Sequence, residues 1–272
     1  MNRKTTPIIT LTLIFLSAGS LFSDCTEKAG KLIAQEDYSK AILILDTCKD
    51  NPESLKLLGV AFHGLYEMEQ AQNYLEEYLE GSPEDLEANI VYASALAYNN
   101  DFRKAIRIYR KLYENNPDNA QIQKGLAKAL GWNGRYREAM EIYNSLLQQD
   151  PQDIEVVFEI GRLLSWQKQF DAALLKLREI IDSNPEEEWL IRAMLEKATV
   201  MSWQKKFDES LAQYRAVLEM DSAVMEAYLG IGTVLEWQGK YKEAKSNFEQ
   251  ALIADPQSSA VKNRLEQLMW VK

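Results

Sequence analysis

One histidine, His63, and two cysteines, Cys25 and Cys48, are all that 272 residues supply of those types. A single imidazole excludes every mechanism or metal site that needs two. The cysteines stand apart in sequence with no Cys-x-x-Cys, which argues against a catalytic redox pair. Basic charge is also short: 31 Lys and Arg face 41 Asp and Glu, a formal net charge of −10. Nucleic-acid binders neutralise phosphates with clustered Lys and Arg, so this balance speaks against that class. No strand pattern and no Gly-rich phosphate loop can be traced. What remains, 46% hydrophobic and 26% charged residues, is the composition of a globular chain. The length alone predicts one or two domains, at about 100–200 residues each.

The N-terminus is laid out as an export signal. Asn2-Arg3-Lys4 is basic, Ile8–Leu16 is apolar, and Ser17-Ala18-Gly19-Ser20 is small. The apolar run is shorter than the ~20 residues that span a bilayer. Residues 1–23 are therefore expected to be a signal peptide, cleaved after Gly19, Ser20 or Ser23; an uncleaved anchor is the alternative. Asp24 precedes Cys25 where lipoprotein signals resemble one another in having a small residue, so lipidation is not expected. Cleavage after Ser23 would leave 29 basic against 41 acidic residues, or −12, and no transmembrane segment in the mature chain. The expected location is periplasmic or extracellular.

The rest of the chain repeats. An aromatic-x-x-Ala step recurs at Tyr38/Ala41, Phe102/Ala105, Tyr136/Ala139, Phe170/Ala173 and Tyr241/Ala244, with looser copies at Met68/Ala71 and Phe207/Ser210. Successive Ala or Ser positions lie 30, 34, 34, 34, 37 and 34 residues apart. Pro52, Pro83, Pro117, Pro151, Pro185 and Pro256 close most units, and apolar residues between the steps follow helical spacing. Each unit reads as two short antiparallel helices in close approach.

This pattern resembles the tetratricopeptide repeat, whose 34-residue motif runs Trp-x-x-Leu-Gly-x-x-Tyr, then Ala, Phe and Pro. Tyr228, Ile231, Gly232, Leu235, Ala244, Phe248 and Pro256 fall on its positions. The resemblance implies an all-α, right-handed superhelical solenoid of about seven units: 22–51, 52–85, 86–119, 120–153, 154–187, 191–224 and 225–258. Residues 259–272 read as a capping helix, with Val261, Leu265 and Leu268 on one apolar stripe. The first unit is short by four residues, and Glu188-Trp189-Leu190 is inserted before the sixth, where a local change of superhelical angle is expected.

Cys25 and Cys48 fall on opposite helices of the first hairpin. That placement brings them within the ~5.5–6 Å Cα separation of a disulfide, and an exported chain meets oxidising conditions. Two buried free thiols are the alternative.

An aromatic recurs at the thirteenth position of five consecutive units: Tyr98, Trp132, Trp166, Trp203 and Trp237. It lies opposite the core stripe of the first helix, beside the second position (Glu87, Gln121, Glu155, Arg192, Glu226) and the ninth (Ser94, Lys128, Arg162, Thr199, Thr233). In tetratricopeptide repeats, these positions resemble the lining of the concave groove. The candidate ligand-binding set is Tyr98, Trp132, Trp166, Trp203, Trp237, Lys128, Arg162 and Arg192. Its aromatics either stack on sugar rings or peptide side chains, or fold down on the neighbouring repeat as packing.

The Trp-Gln-x-x-aromatic run at Trp166, Trp203 and Trp237 is similar to repeats in periplasmic scaffolds of bacterial exopolysaccharide secretion. Those families carry an outer-membrane barrel after their repeats; none is expected here. Glu76-Glu77 and Glu186-Glu187-Glu188 lack the loop spacing of a calcium site, and His63 has no recognisable catalytic context. No catalytic residue, metal or cofactor is expected. The expected function is a non-enzymatic envelope scaffold that grips a protein partner in its groove. A glycan-binding module of an export or cell-wall machine is the alternative.

Overall fold

The computed structural model describes residues 25–49 and 51–268. The expected signal peptide, 1–23, and the last four residues of the expected 259–272 cap lie outside that range. All regular structure among the described residues is helical. The chain divides into two compact units, the first reaching Ile142 and the second running Tyr143–Lys272.

Unit 1 begins with α1, described over 25–33. There follow α2 (Tyr38–Leu45) with a 3₁₀ turn at Asp46–Cys48, α3 (Pro52–Gly64), α4 (Met68–Gly81), α5 (Leu86–Tyr98), α6 (Phe102–Asn115) and α7 (Ala120–Trp132). The division falls inside α8 (Tyr136–Gln149). Unit 2 holds α9 (Ile154–Trp166), α10 (Phe170–Asp182), α11 (Glu187–Trp203), α12 (Phe207–Met220), α13 (Met225–Trp237), α14 (Tyr241–Ala254) and α15 (Ser259–Leu268). In both units each hairpin's second helix packs on the next first helix, and first helices also touch, α3 with α5 and α11 with α13 among them.

Local chemistry sets the helix ends. Asn51, Asp85, Asn119 and Asp153 precede the first helices of their hairpins, and each side chain accepts a backbone N–H from the first turn. Every first helix ends in one left-handed residue: Glu36, Tyr66, Asn100, Gly134, Lys168, Lys205 and Gly239, with φ between 60° and 77°. That conformation reverses the chain within three or four residues, as a helix C-terminal left-handed cap does. An eighth positive φ, at Asn184, lies in the link before α11.

The recurring alanines explain the close approach within hairpins. Ala41, Ala71, Ala105, Ala173 and Ala244 have no exposed surface. Ser210 is equally buried, and its hydroxyl donates to the Ala198 carbonyl at 2.8 Å, so a serine replaces alanine without an unmet hydrogen bond. Gly232 faces the ring of fully buried Phe248; a Cβ there would collide with it.

Both length irregularities are taken up by helix. The short first unit has a short second helix, α2 with 8 residues where α4 has 14. The Glu188-Trp189-Leu190 insertion lengthens α11 to 17 residues, against 13 in α9. In α15, Val261 and Leu268 are buried and Leu265 packs partly against the same core.

Candidate functional site

In unit 1 the thirteenth-position aromatics close α5 and α7. Tyr98 and Trp132 meet edge to face, ring centres 4.8 Å apart and 70° inclined. Trp132 also leans on Phe102, the residue that opens the preceding second helix, at 6.4 Å. Tyr98 touches exposed Tyr66 at 6.1 Å and His63 at 6.3 Å. The His63 Nε2 lies 2.8 Å from the Ser94 hydroxyl. Burial, and then the Lys128 ammonium, hold this imidazole below its ordinary pKa.

Unit 2 repeats the aromatic contact. Trp203 leans on Phe170 at 6.5 Å and Trp237 on Phe207 at 6.4 Å, each again the opening residue of the preceding second helix. The residue after the aromatic completes a clasp. Gln204 donates to Asp171 at 3.1 Å, and in unit 1 Asn99 donates to the Met68 carbonyl and to Gln72. The Trp203–Gln204 pair thus fastens its hairpin to the one before it. Trp203 and Trp237 still keep 39% and 48% of their surface open, so the clasp uses only part of each ring.

A denser constellation lies between α9 and α11. Glu159 is buried, 3% exposed, and both its oxygens accept from Arg162 Nη1, at 3.3 and 3.4 Å. The Arg162 guanidinium lies over Trp166 at 4.8 Å and over Phe158 at 5.9 Å. Arg192 stacks over Trp189 at 4.2 Å and over Phe158 at 5.1 Å, and the two rings are 5.8 Å apart. Ser165 donates to the Arg162 carbonyl at 2.7 Å and lies 3.4 Å from the Glu196 carboxylate. Burial pushes the Glu196 carboxyl above the usual range and Glu159 adds to that; Arg162 and Ser165 act in the opposite direction.

Two guanidinium groups are thereby fixed on aromatic faces, and one of them, Arg162, is bonded to buried Glu159. Arginine held this way keeps donors free in a rigid plane, suited to carboxylates and peptide carbonyls. Buried charge is costly to keep in a helical core, and hydrophobic replacements are often as stable. Of the predicted site residues, the structure brings Trp166, Arg162 and Arg192 together here. Tyr98, Trp132 and Lys128 belong to unit 1, and Trp203 and Trp237 to the clasps.

Phe158, Glu159, Trp189 and Glu196 escape a reading of the sequence by repeat position alone. A signal was present, however. Glu159 and Glu196 both occupy the sixth position of a first helix, where other units carry Val91, Gly125 and Gly230.

The first hairpin is joined covalently: Cys25 and Cys48 form a disulfide, with Cα atoms 6.8 Å apart and both residues buried. Among the described residues no group of three or more His, Cys, Asp or Glu could hold a metal ion, and no helix is long and apolar enough to cross a membrane.

Two family models described as tetratricopeptide repeat match the chain, one over residues 64–129, 96–157 and 133–197 and the other over 204–259. No curated protein matches. Among solved structures, a tetratricopeptide repeat protein from Parabacteroides merdae ATCC 43184 aligns with a TM-score of 0.74 at 16% identity, covering 92% of this chain and 99% of that one. The APC/C hetero-tetramer Cut9–Hcn1 aligns with a TM-score of 0.61 at 14% identity over 96% of this chain. The alignment spans 50% of that longer chain. At these identities the likeness is one of fold.

Proposed function

Because the chain belongs to the tetratricopeptide-repeat family, we propose that it is a non-catalytic scaffold that holds a segment of a protein partner across the first-helix face of its hairpins. The observation that carries this reading is the α9–α11 constellation, with Arg162 and Arg192 stacked on Trp166, Trp189 and Phe158 and Arg162 bonded to buried Glu159. Guanidinium planes fixed by aromatic walls are pre-organised for an extended peptide's carbonyls and acidic side chains, which lowers the entropy lost on binding. The partner is proposed to be a cell-envelope protein, a reading supported by the signal-like residues 1–23.

Arg192 is the residue to change. Among the described residues its one ion pair, with exposed Glu188 at 3.5 Å, adds little to the fold. Arg192→Ala should reduce capture of an envelope partner by tenfold or more while leaving the melting temperature within about 2 °C. Unchanged capture would remove this face from consideration. Cell fractionation tests the location: a cytoplasmic product of unprocessed size refutes export.

A second reading rests on the open faces of Trp237 and Tyr241, 48% and 43% exposed. Such faces fit sugar rings in a glycan-binding module. Titration with oligosaccharides, followed by tryptophan fluorescence, separates the two.

A further inference from the structure

Charge is distributed unevenly over the second helices of unit 1. Helix α4 carries Glu69, Glu76, Glu77 and Glu80 and no Lys or Arg. Helix α6 carries Arg103, Lys104, Arg107, Arg110 and Lys111 against one acid, Glu114. Lys104 is engaged, bonded to the Tyr92 hydroxyl and to Glu76. The other four cations are exposed and recur at i, i+4, i+7 and i+8, so they share one face over about 12 Å of helix.

Like charges three or four apart on a helix cost about 0.2–0.5 kcal/mol per pair. Arg107 is in that relation to Arg103, Arg110 and Lys111 at once. Two of the four are held at the margins, Arg110 by Glu138 at 2.9 Å and Lys111 by Glu84 at 3.1 Å. Among the described residues Arg103 and Arg107 have no ion pair or side-chain hydrogen bond. They line an open hollow of 430 Å³ with Ile106, Arg110, Lys111 and Glu114. A neighbouring hollow of 270 Å³ shares Arg107 and Lys111 and adds the partly buried Ile108 and Leu112.

We propose that the outer face of α6 is a second docking site, separate from the first-helix face, for a short acid-rich segment of a partner protein. Carboxylates one helical turn apart on the partner would take the free guanidinium groups of Arg103 and Arg107, and its apolar residues would rest on Ile108 and Leu112. Charge complementarity selects this occupant. A long polyanion such as nucleic acid would run from this short basic strip onto the Glu row of α4, within a chain of net charge −10.

The test uses a fluorescein-labelled peptide with Glu at i, i+4 and i+7 and Leu between them, read by fluorescence anisotropy on the full chain. The wild type should bind it, with affinity falling several-fold as salt rises from about 50 to about 300 mM. Arg103→Glu with Arg107→Glu should weaken binding at least tenfold, and a Lys-for-Glu peptide should not bind. Arg192→Ala should leave this binding unchanged, which separates the site from the first-helix face. If the double Glu variant melts early, Arg103→Gln with Arg107→Gln replaces it, again with a tenfold loss expected. Peptide binding that survives both variants overturns the proposal. So does tighter binding of single-stranded DNA or of anionic phosphatidylserine vesicles than of the peptide.

Discussion

Lys168 and Lys205 sit in the left-handed region at φ 62°, each in the turn that ends a first helix of unit 2. An L-residue in that region costs about 1–2 kcal/mol relative to the right-handed one, because its Cβ crowds the following carbonyl. Glycine escapes that cost but loses about 0.5–1 kcal/mol more than other residues when its chain is ordered. Replacing either lysine with glycine should therefore stabilise by about 0.5–1 kcal/mol. Both side chains are exposed and form no hydrogen bond or ion pair among the described residues, so no side-chain partner is lost. Two sites already carry glycine, Gly134 at φ 77° and Gly239 at φ 75°, and neither has any atom within 4 Å of where a Cβ would lie. The turn thus constrains the backbone and leaves the side chain free. Lys168→Gly with Lys205→Gly should raise the melting temperature by roughly 3–6 °C in far-UV circular dichroism, with the urea midpoint moving the same way. Gly239→Ala should lower it by about half as much. A double glycine variant no more stable than wild type would refute the reasoning, since the strain ascribed to these turns would then be absent.

Other outcomes follow from the same geometry. The only imidazole, His63, has its pKa lowered by burial and by Lys128, so the unfolded chain binds this proton more readily than the folded one. Stability contributed by neutral His63 is complete above the unfolded value of about 6.5 and declines as pH falls through it. Urea midpoints measured from pH 7.5 to 5.5 should fall, and His63→Asn should flatten that slope; an equal slope in the variant refutes the assignment. Reduction of the Cys25–Cys48 bond should destabilise the first hairpin by about 3 kcal/mol in the chain-entropy model. Two free thiols in denatured, unreduced protein would refute the bond.

The period of the repeat was legible because an aromatic, a small residue and a proline return at nearly fixed spacing, each tied to one step of a helical hairpin. The aromatics at Trp132, Trp203 and Trp237 were legible too, but what they touch was not. Their partners Phe102, Phe170 and Phe207 lie a whole repeat earlier, and a positional pattern describes one repeat at a time. The α9–α11 constellation was harder still to read. Trp189 belongs to an insertion that interrupts the register, yet as an added turn of α11 it supplies the ring beneath Arg192. Glu159 and Glu196 look like surface residues until the helices pair, which buries Glu159 and half-buries Glu196.

The left-handed turn residues recur 30, 34, 34, 34, 37 and 34 positions apart, and the two departures from 34 accompany a short α2 and a long α11. The turn is the fixed joint and the helix the adjustable member. Within this chain helices differ in length by a turn or more, while every such joint keeps φ between 60° and 77°. The Trp189–Arg192 stack lies in the lengthened helix: the inserted Trp189 supplies the ring, while the turn at Lys205 keeps the φ of 62° found at Lys168.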